Sequence, residues 1–238
     1  MDHAATTGVF AGYDDRHSHF SRRLAVVQAT LHDAITGAPA GPVFVTDICG
    51  GEGQVLLPVM AAHPRAADVQ AVIVELDAAS VASARARIAA LGLDQVHVVQ
   101  GDAGLSDSYV GLPRAQVVVL SGVLVHLAPA DRARVLQFLP RLCTVGATVI
   151  WTIGNRFDPT RARRVHRTVA RHGVEVVRIE AVPRAPEDRV RHEVGVGRLG
   201  AAADAAPRGV RIFRFRLSLD KRYPRLRALV RRLRRRER

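Results

Sequence analysis

Phe20, Leu24, Val27, Leu31 and Ile35 recur at intervals of three and four, which predicts a helix over Asp14–Ile35. TGAPAGP then interrupts the chain. Beyond it, short apolar runs alternate with helical patterns. VFVTDI, VQAVIVEL, VHVVQGD, QVVVLSG and ATVIWTI read as strands, and VEVVRIEAV and HEVGVGRL close the series. Helices are predicted over Glu52–Ala62, over ASVASARARIAALG with Gly92 as its C-terminal cap, over Asp131–Leu139 with Asp131 as its cap, and over Pro159–His172.

Strands that are apolar throughout are buried on both faces of a sheet. Strands and helices in alternation imply parallel crossovers and an α/β doubly wound fold. The last two strands are separated only by PRAPEDR, too short for a parallel crossover, so they should pair antiparallel. The expectation is a mostly parallel seven-stranded sheet with one antiparallel strand near its C-terminal end and helices on both faces. Residues 1–40 form a helical lid segment on this reading, 41–219 the main domain, and 220–238 a basic tail.

Composition adds three points. An apolar fraction of 48% is ample for a core, and no run of eighteen apolar residues exists to span a membrane. The acidic start MDHAATTGVF lacks the pattern of a signal peptide, and Cys49 and Cys143 read as separate buried thiols, so a reducing cytoplasm is expected. The net charge of +13 is local: residues 208–238 hold 14 basic and 2 acidic residues, leaving 21 basic and 20 acidic before them. The charge therefore says little about the main domain's ligand. It marks the tail, where Leu226, Leu229, Val230 and Leu233 line one face of an arginine-rich amphipathic helix. Before it, RIFRFRLSL alternates as an edge strand would.

The turn after the first strand, TDICGGEGQ, is where a doubly wound sheet binds its ligand. A phosphate loop requires a lysine, and the chain's one Lys is Lys221. A dinucleotide loop requires a third glycine where Leu56 stands. Asp47, just before the glycines, would oppose a pyrophosphate and welcome a cation. S-adenosyl-L-methionine carries a sulfonium and an ammonium and no phosphate.

At these residues the chain resembles the class I S-adenosylmethionine-dependent methyltransferases, and in its overall look small bacterial members. Their D-x-G-x-G-x-G motif aligns with Asp47-Ile48-Cys49-Gly50-Gly51-Glu52-Gly53, with Cys49 replacing the first glycine and Gly50 beside it as a source of backbone freedom. The resemblance implies a Rossmann-like fold, the donor as cofactor, and a methyl acceptor. It also implies donor contacts from Asp47, Cys49, Gly51 and Gly53. Glu75 with Leu76 is implied at the ribose (Asp77 being the rival), Asp102 and Ala103 at the adenine, and Ser121 and Gly122 beneath the methionine part. In similar enzymes an N-terminal segment covers the donor; here GYDDRHSHF offers Tyr13 to the donor and a histidine, His17 or His19, to the acceptor.

Methyl transfer from a sulfonium mainly needs alignment, and a base only where the acceptor is a hydroxyl. His126, five residues past Ser121, is the candidate base. The fourth strand is followed by Ser121-Gly122-Val123 and not by an N-P-P-Y type motif, which argues against amino-methylation of nucleic acid of that type and favours a small-molecule acceptor. No His, Cys and Asp set has metal-ligand spacing, so no metal is expected. The alternative is a methyltransferase-like binding protein whose basic tail, residues 221–238, contacts nucleic acid or an anionic membrane surface.

Overall fold

A computed structural model describes residues 18–155, 160–204 and 207–214. Helix α1 (His19–Thr36) begins where the Ser18 hydroxyl accepts the Ser21 amide at 3.1 Å, satisfying a donor the helix itself leaves unpaired. Val27, Leu31 and Ile35 are buried as their spacing predicts. Asp14 to His17 lie outside the described residues. Arg65 holds the other end of α1, donating to the carbonyls of Ile35, Ala38, Pro39 and Gly41. A guanidinium there also meets the negative pole of the helix.

Then come β1 (Val43–Ile48), α2 (Leu56–Ala62), β2 (Val69–Glu75), α3 (Ala78–Leu91), β3 (Val96–Gln100) and β4 (Ala115–Leu120). They are followed by α4 (Pro129–Leu142), β5 (Cys143–Asn155), α5 (Arg161–Arg171), β6 (Val174–Ala181) and β7 (Arg191–Leu199). The seven strands form one sheet in the order β3-β2-β1-β4-β5-β7-β6. β1 pairs in parallel with β2 and β4, β2 with β3, and β4 with β5. β7 runs antiparallel to both β5 and β6, so the pairing inferred from the short PRAPEDR connection is present.

The strands send alternate side chains to two apolar layers. Val72, Val74, Val118 and Leu120 join the layer under α4 and α5, while Ala71, Ile73, Val117 and Val119 join the layer under α1 and α2. Trp151 of β5 is fully buried in the first. Its indole nitrogen donates to His166 Nδ1 at 3.2 Å, and His166 Nε2 lies 2.7 Å from a Glu193 carboxylate oxygen. The indole nitrogen only donates, so the His166 proton sits on Nε2, facing Glu193.

Two element boundaries differ from the sequence reading. The helix expected from Glu52 starts at Leu56, because residues 51–55 remain in the glycine turn. The helix expected to be capped by Asp131 starts at Pro129, whose fixed φ suits the first helical position. Asp131 instead pairs with Arg134. The C-terminal segment also departs from the expected edge strand. Arg211 makes an isolated bridge with Leu105, and the consecutive Ile212 and Phe213 are both buried, so the alternation is lost. The remainder of that segment, and the basic helix, lie outside the described residues.

Candidate active site

Strand order reverses between β1 and β4, since β2 and β3 build outward on one side and β4 onward on the other. The loops leaving β1 and β4 diverge there and leave a crevice at the carboxyl edge.

The loop after β1 turns sharply. Cys49, Gly51 and Gly53 have φ of 59°, 59° and 78°. Cys49 is the only non-glycine residue with positive φ among the described residues. The left-handed conformation costs a side-chain-bearing residue about 1–2 kcal/mol. The expectation that Gly50 supplies the freedom lost at Cys49 is therefore corrected: Cys49 adopts the glycine-like angle itself. Gly50 serves closeness, since a Cβ there would lie 2.7 Å from Asp47 Oδ2. Burial, with the nearby carboxylates of Glu75, Asp102 and Asp47, pushes the Cys49 thiol well above its ordinary range and keeps it protonated.

Glu75 ends β2 and braces this loop. Its carboxylate accepts the Gly51 amide at 3.0 Å, the Leu76 amide at 2.7 Å and the Asp77 amide at 2.8 Å. Asp77, its rival in the sequence, caps α3 by accepting the Ser80 amide at 3.0 Å and hydroxyl at 2.9 Å. Past β3, Asp102 accepts the Gly104 amide at 2.8 Å and pairs with Arg211 of the C-terminal segment. Ala103 is buried, and its carbonyl accepts the Tyr109 hydroxyl at 2.9 Å.

Asp47 is buried, and its Oδ2 has no hydrogen-bond partner among the described residues. Burial, reinforced by the negative Glu75, raises its pKa from 3.8 to about 7. The folded state thus holds this proton more tightly than the unfolded chain. The resulting stability is full below about pH 4 and is lost as pH rises through about 7. Asp47→Asn, neutral throughout, should remove that loss, so its melting temperature relative to the parent should climb between about pH 5 and pH 8. An offset that is the same at both pH values would show that Asp47 is ionised across the range.

Beyond β4, Ser121 and Gly122 are half-buried; Gly122 has φ of 76° and its amide donates to the Thr152 hydroxyl at 2.7 Å. His126 closes the short turn Leu124–His126. Burial, then Arg161 and Arg23, press its pKa down to about 4, so it is neutral at pH 7. The structure thus gathers Asp47, Cys49, Gly51, Gly53, Glu75, Leu76, Asp102 and Ala103 on the β1–β3 side. Ser121 and Gly122 sit at the middle, and His126 lies on the far side. Tyr13 lies outside the described residues.

Sequence reasoning did not find His192, the second residue of β7, at this same edge opposite Gly154 of β5. It stacks on His19 of α1 with ring centroids 5.3 Å apart. No spacing in the sequence links residues so far apart. Among the described residues, no set of three His, Cys, Asp or Glu side chains is arranged to hold a metal, and no helix is long and apolar enough to cross a membrane.

Comparison with known proteins adds to this geometry. Residues 45–146 match the family model described as a methyltransferase domain. No curated protein matches the sequence. Solved structures share the fold at low identity. An O-methyltransferase family protein from Burkholderia thailandensis is 17% identical with a TM-score of 0.53, over 82% of this chain and 64% of that one. The present chain therefore spans just under two thirds of that protein. Magnesium protoporphyrin IX methyltransferase from Synechocystis, solved with bound S-adenosylmethionine, is 13% identical with a TM-score of 0.60, over 82% and 91% of the two chains. An N-methyltransferase from Bradyrhizobium japonicum is 12% identical with a TM-score of 0.57, over 78% and 99%. The strand order, the glycine turn at the end of β1 and the family-model match together show that residues 45–146 are a methyltransferase domain, set in a Rossmann-like methyltransferase fold.

Proposed function

We propose that the protein transfers the methyl group of S-adenosylmethionine to a small-molecule acceptor. The observation that carries this reading is the row of three carboxylates, Asp47, Glu75 and Asp102, set at the ends of successive strands around a lysine-free glycine turn. That lining suits a ligand with cationic centres and hydroxyls and no phosphate. The buried Oδ2 of Asp47, without a hydrogen-bond partner among the described residues, and the lack of room for a Cβ at Gly50 and Gly53 fit a turn built for close backbone approach.

In this reading Asp47 shapes the floor under the methionine part, and Cys49, Gly51 and Gly53 lie along it. Glu75 takes the ribose hydroxyls while bracing the Gly51 amide, with Leu76 beside it. Asp102 and Ala103 receive the adenine, Ser121 and Gly122 border the methionine part on the β4 side, and Tyr13 is assigned to the donor as well. The bound donor supplies a methyl group already activated on sulfur. The chain's own residues align the acceptor with it, which is where most of the rate enhancement of such a displacement arises. His126, neutral at pH 7, accepts a hydrogen bond from the acceptor or from its water. Residues 41–219 are assigned to the catalytic domain, with α1 packed against its sheet and residues 220–238 as a basic tail.

Calorimetric titration with S-adenosylmethionine, its demethylated product and NAD tests the cofactor: the first two should bind and NAD should not. Glu75→Ala leaves the Gly51, Leu76 and Asp77 amides without their acceptor. It should weaken donor binding by about 1–3 kcal/mol, roughly 5- to 150-fold. Unchanged affinity in that variant, with Asp77→Ala weakening it instead, would move the ribose site two residues along the chain.

A further inference from the structure

His192 is a buried polar side chain. It is 7% exposed, and neither Nδ1 nor Nε2 has a hydrogen-bond partner among the described residues. Leaving buried polar atoms unpaired costs about 1–3 kcal/mol, so such a group calls for an explanation, and a ligand supplies one. It sits where a ligand would meet it, at the carboxyl edge beside the end of β5. There Gly154 leaves the backbone bare; a Cβ at that position would lie 3.1 Å from the His192 ring.

The charges bearing on His192 and His126 are mostly positive. Arg23 bears electrostatically on both His192 and His126, His19 on His192, and Arg161 on His126. Among the described residues the carboxylate that bears on His192 is Asp188, and it is already engaged by Arg22 and by the Ala185 amide at 2.8 Å. The β4-β5-β7 half of the crevice is thus basic, in contrast to the acidic β1-β2-β3 half. Nor does it hold an effective base. Burial and the neighbouring cations press His192 down to about 3 and His126 to about 4, far from the value near 7 that proton abstraction at neutral pH favours.

We propose that this cluster is the acceptor site, and that the acceptor is a small organic acid whose ionised carboxylate is held at His192 beside Arg23. The proposal rests on the donor reading above for its reaction. A carboxylate oxygen arrives with the electron pair it needs. That pair forms the O–CH3 bond as the S–CH3 bond breaks and its electrons stay on sulfur. Sulfonium and carboxylate become a neutral thioether and a methyl ester, and no proton has to move. His192 is a binding residue in this scheme: it contacts the acceptor and orients the attacking oxygen.

The test follows the imidazole nitrogens by NMR in the full chain, titrated with benzoate, with its neutral isostere benzamide and, separately, with S-adenosylhomocysteine. Benzoate should move the His192 signals and benzamide should not. His192→Phe should lower benzoate affinity roughly tenfold or more, the loss expected for a hydrogen bond to a charged group, and leave S-adenosylhomocysteine affinity unchanged. Arg23→Gln should weaken benzoate in the same way, and it guards against a folding defect in the β7 variant. Benzamide matching benzoate, no movement of His192 with benzoate, or unchanged benzoate affinity in both variants would overturn the assignment. Benzoate binding without S-adenosylhomocysteine binding would overturn the donor reading and leave this acid site standing.

Discussion

Gly51→Val is expected to give a folded protein that has lost its donor. Gly51 sits at φ of 59°, where a β-branched residue is a steric outlier. Forcing valine there costs about 1–3 kcal/mol, and rotating the peptide away relieves it. Rotation removes the Gly51 amide from Glu75, 3.0 Å away, so the brace between the β1 turn and the end of β2 fails with it. The branched side chain also enters the space proposed for the methionine part. Donor affinity should fall about 100-fold or more, while the far-ultraviolet circular dichroism spectrum is retained. A folded variant with parental affinity would refute the glycine-cradle reading. Gly53 is a less clean test, because a Cβ there would lie 2.7 Å from Leu57 Cγ and disturb the core as well.

The second large effect falls on the fold. In Gly195→Ala the new Cβ would lie 2.1 Å from Trp151 Cε2 and 2.3 Å from Cζ2. The indole has no room to withdraw, being fully buried and hydrogen-bonded to His166. Overpacking of this kind costs about 3 kcal/mol, which lowers the melting temperature of a domain this size by about 6–12 °C. Adding Trp151→Phe removes the indole atoms that clash, so the double variant should be more stable than additivity of the two single changes predicts. Strict additivity would show that the strain is relieved elsewhere in β7.

These two glycines illustrate what the sequence discloses. Gly51 belongs to a contiguous motif with an aspartate before it, and such a motif is visible because the loop's backbone demands are local. Gly195 is silent in the sequence. HEVGVGRL reads as a strand, but the residue that requires Gly195 is Trp151, on a different strand. The same distinction separates the two halves of the crevice. Asp47, Glu75 and Asp102 each follow an apolar run, so strand ends and acids can be read together. His19, Arg23, His126, Arg161 and His192 come from three separate elements and a turn, and only the register of β7 against β5 and the packing of α1 bring them to one edge. The antiparallel pairing of β6 and β7 was legible from the length of PRAPEDR. The insertion of β7 between β5 and β6 was not, because loop length constrains direction and leaves the neighbour open. Cys49 shows a third kind of limit: its residue type argues against the backbone angle that the rest of the motif requires, and the motif prevails.

Trp151 is the chain's sole tryptophan. Sealed from solvent in the middle of the sheet, it makes the protein its own optical gauge. Its emission should lie to the blue in the folded state and shift red as the β5-β7 ladder parts, with no label attached. The signal reports on the layer beneath the basic half of the crevice. Denaturant titrations read at this fluorophore, beside those read by circular dichroism, will therefore show whether that half melts together with the rest of the sheet or ahead of it.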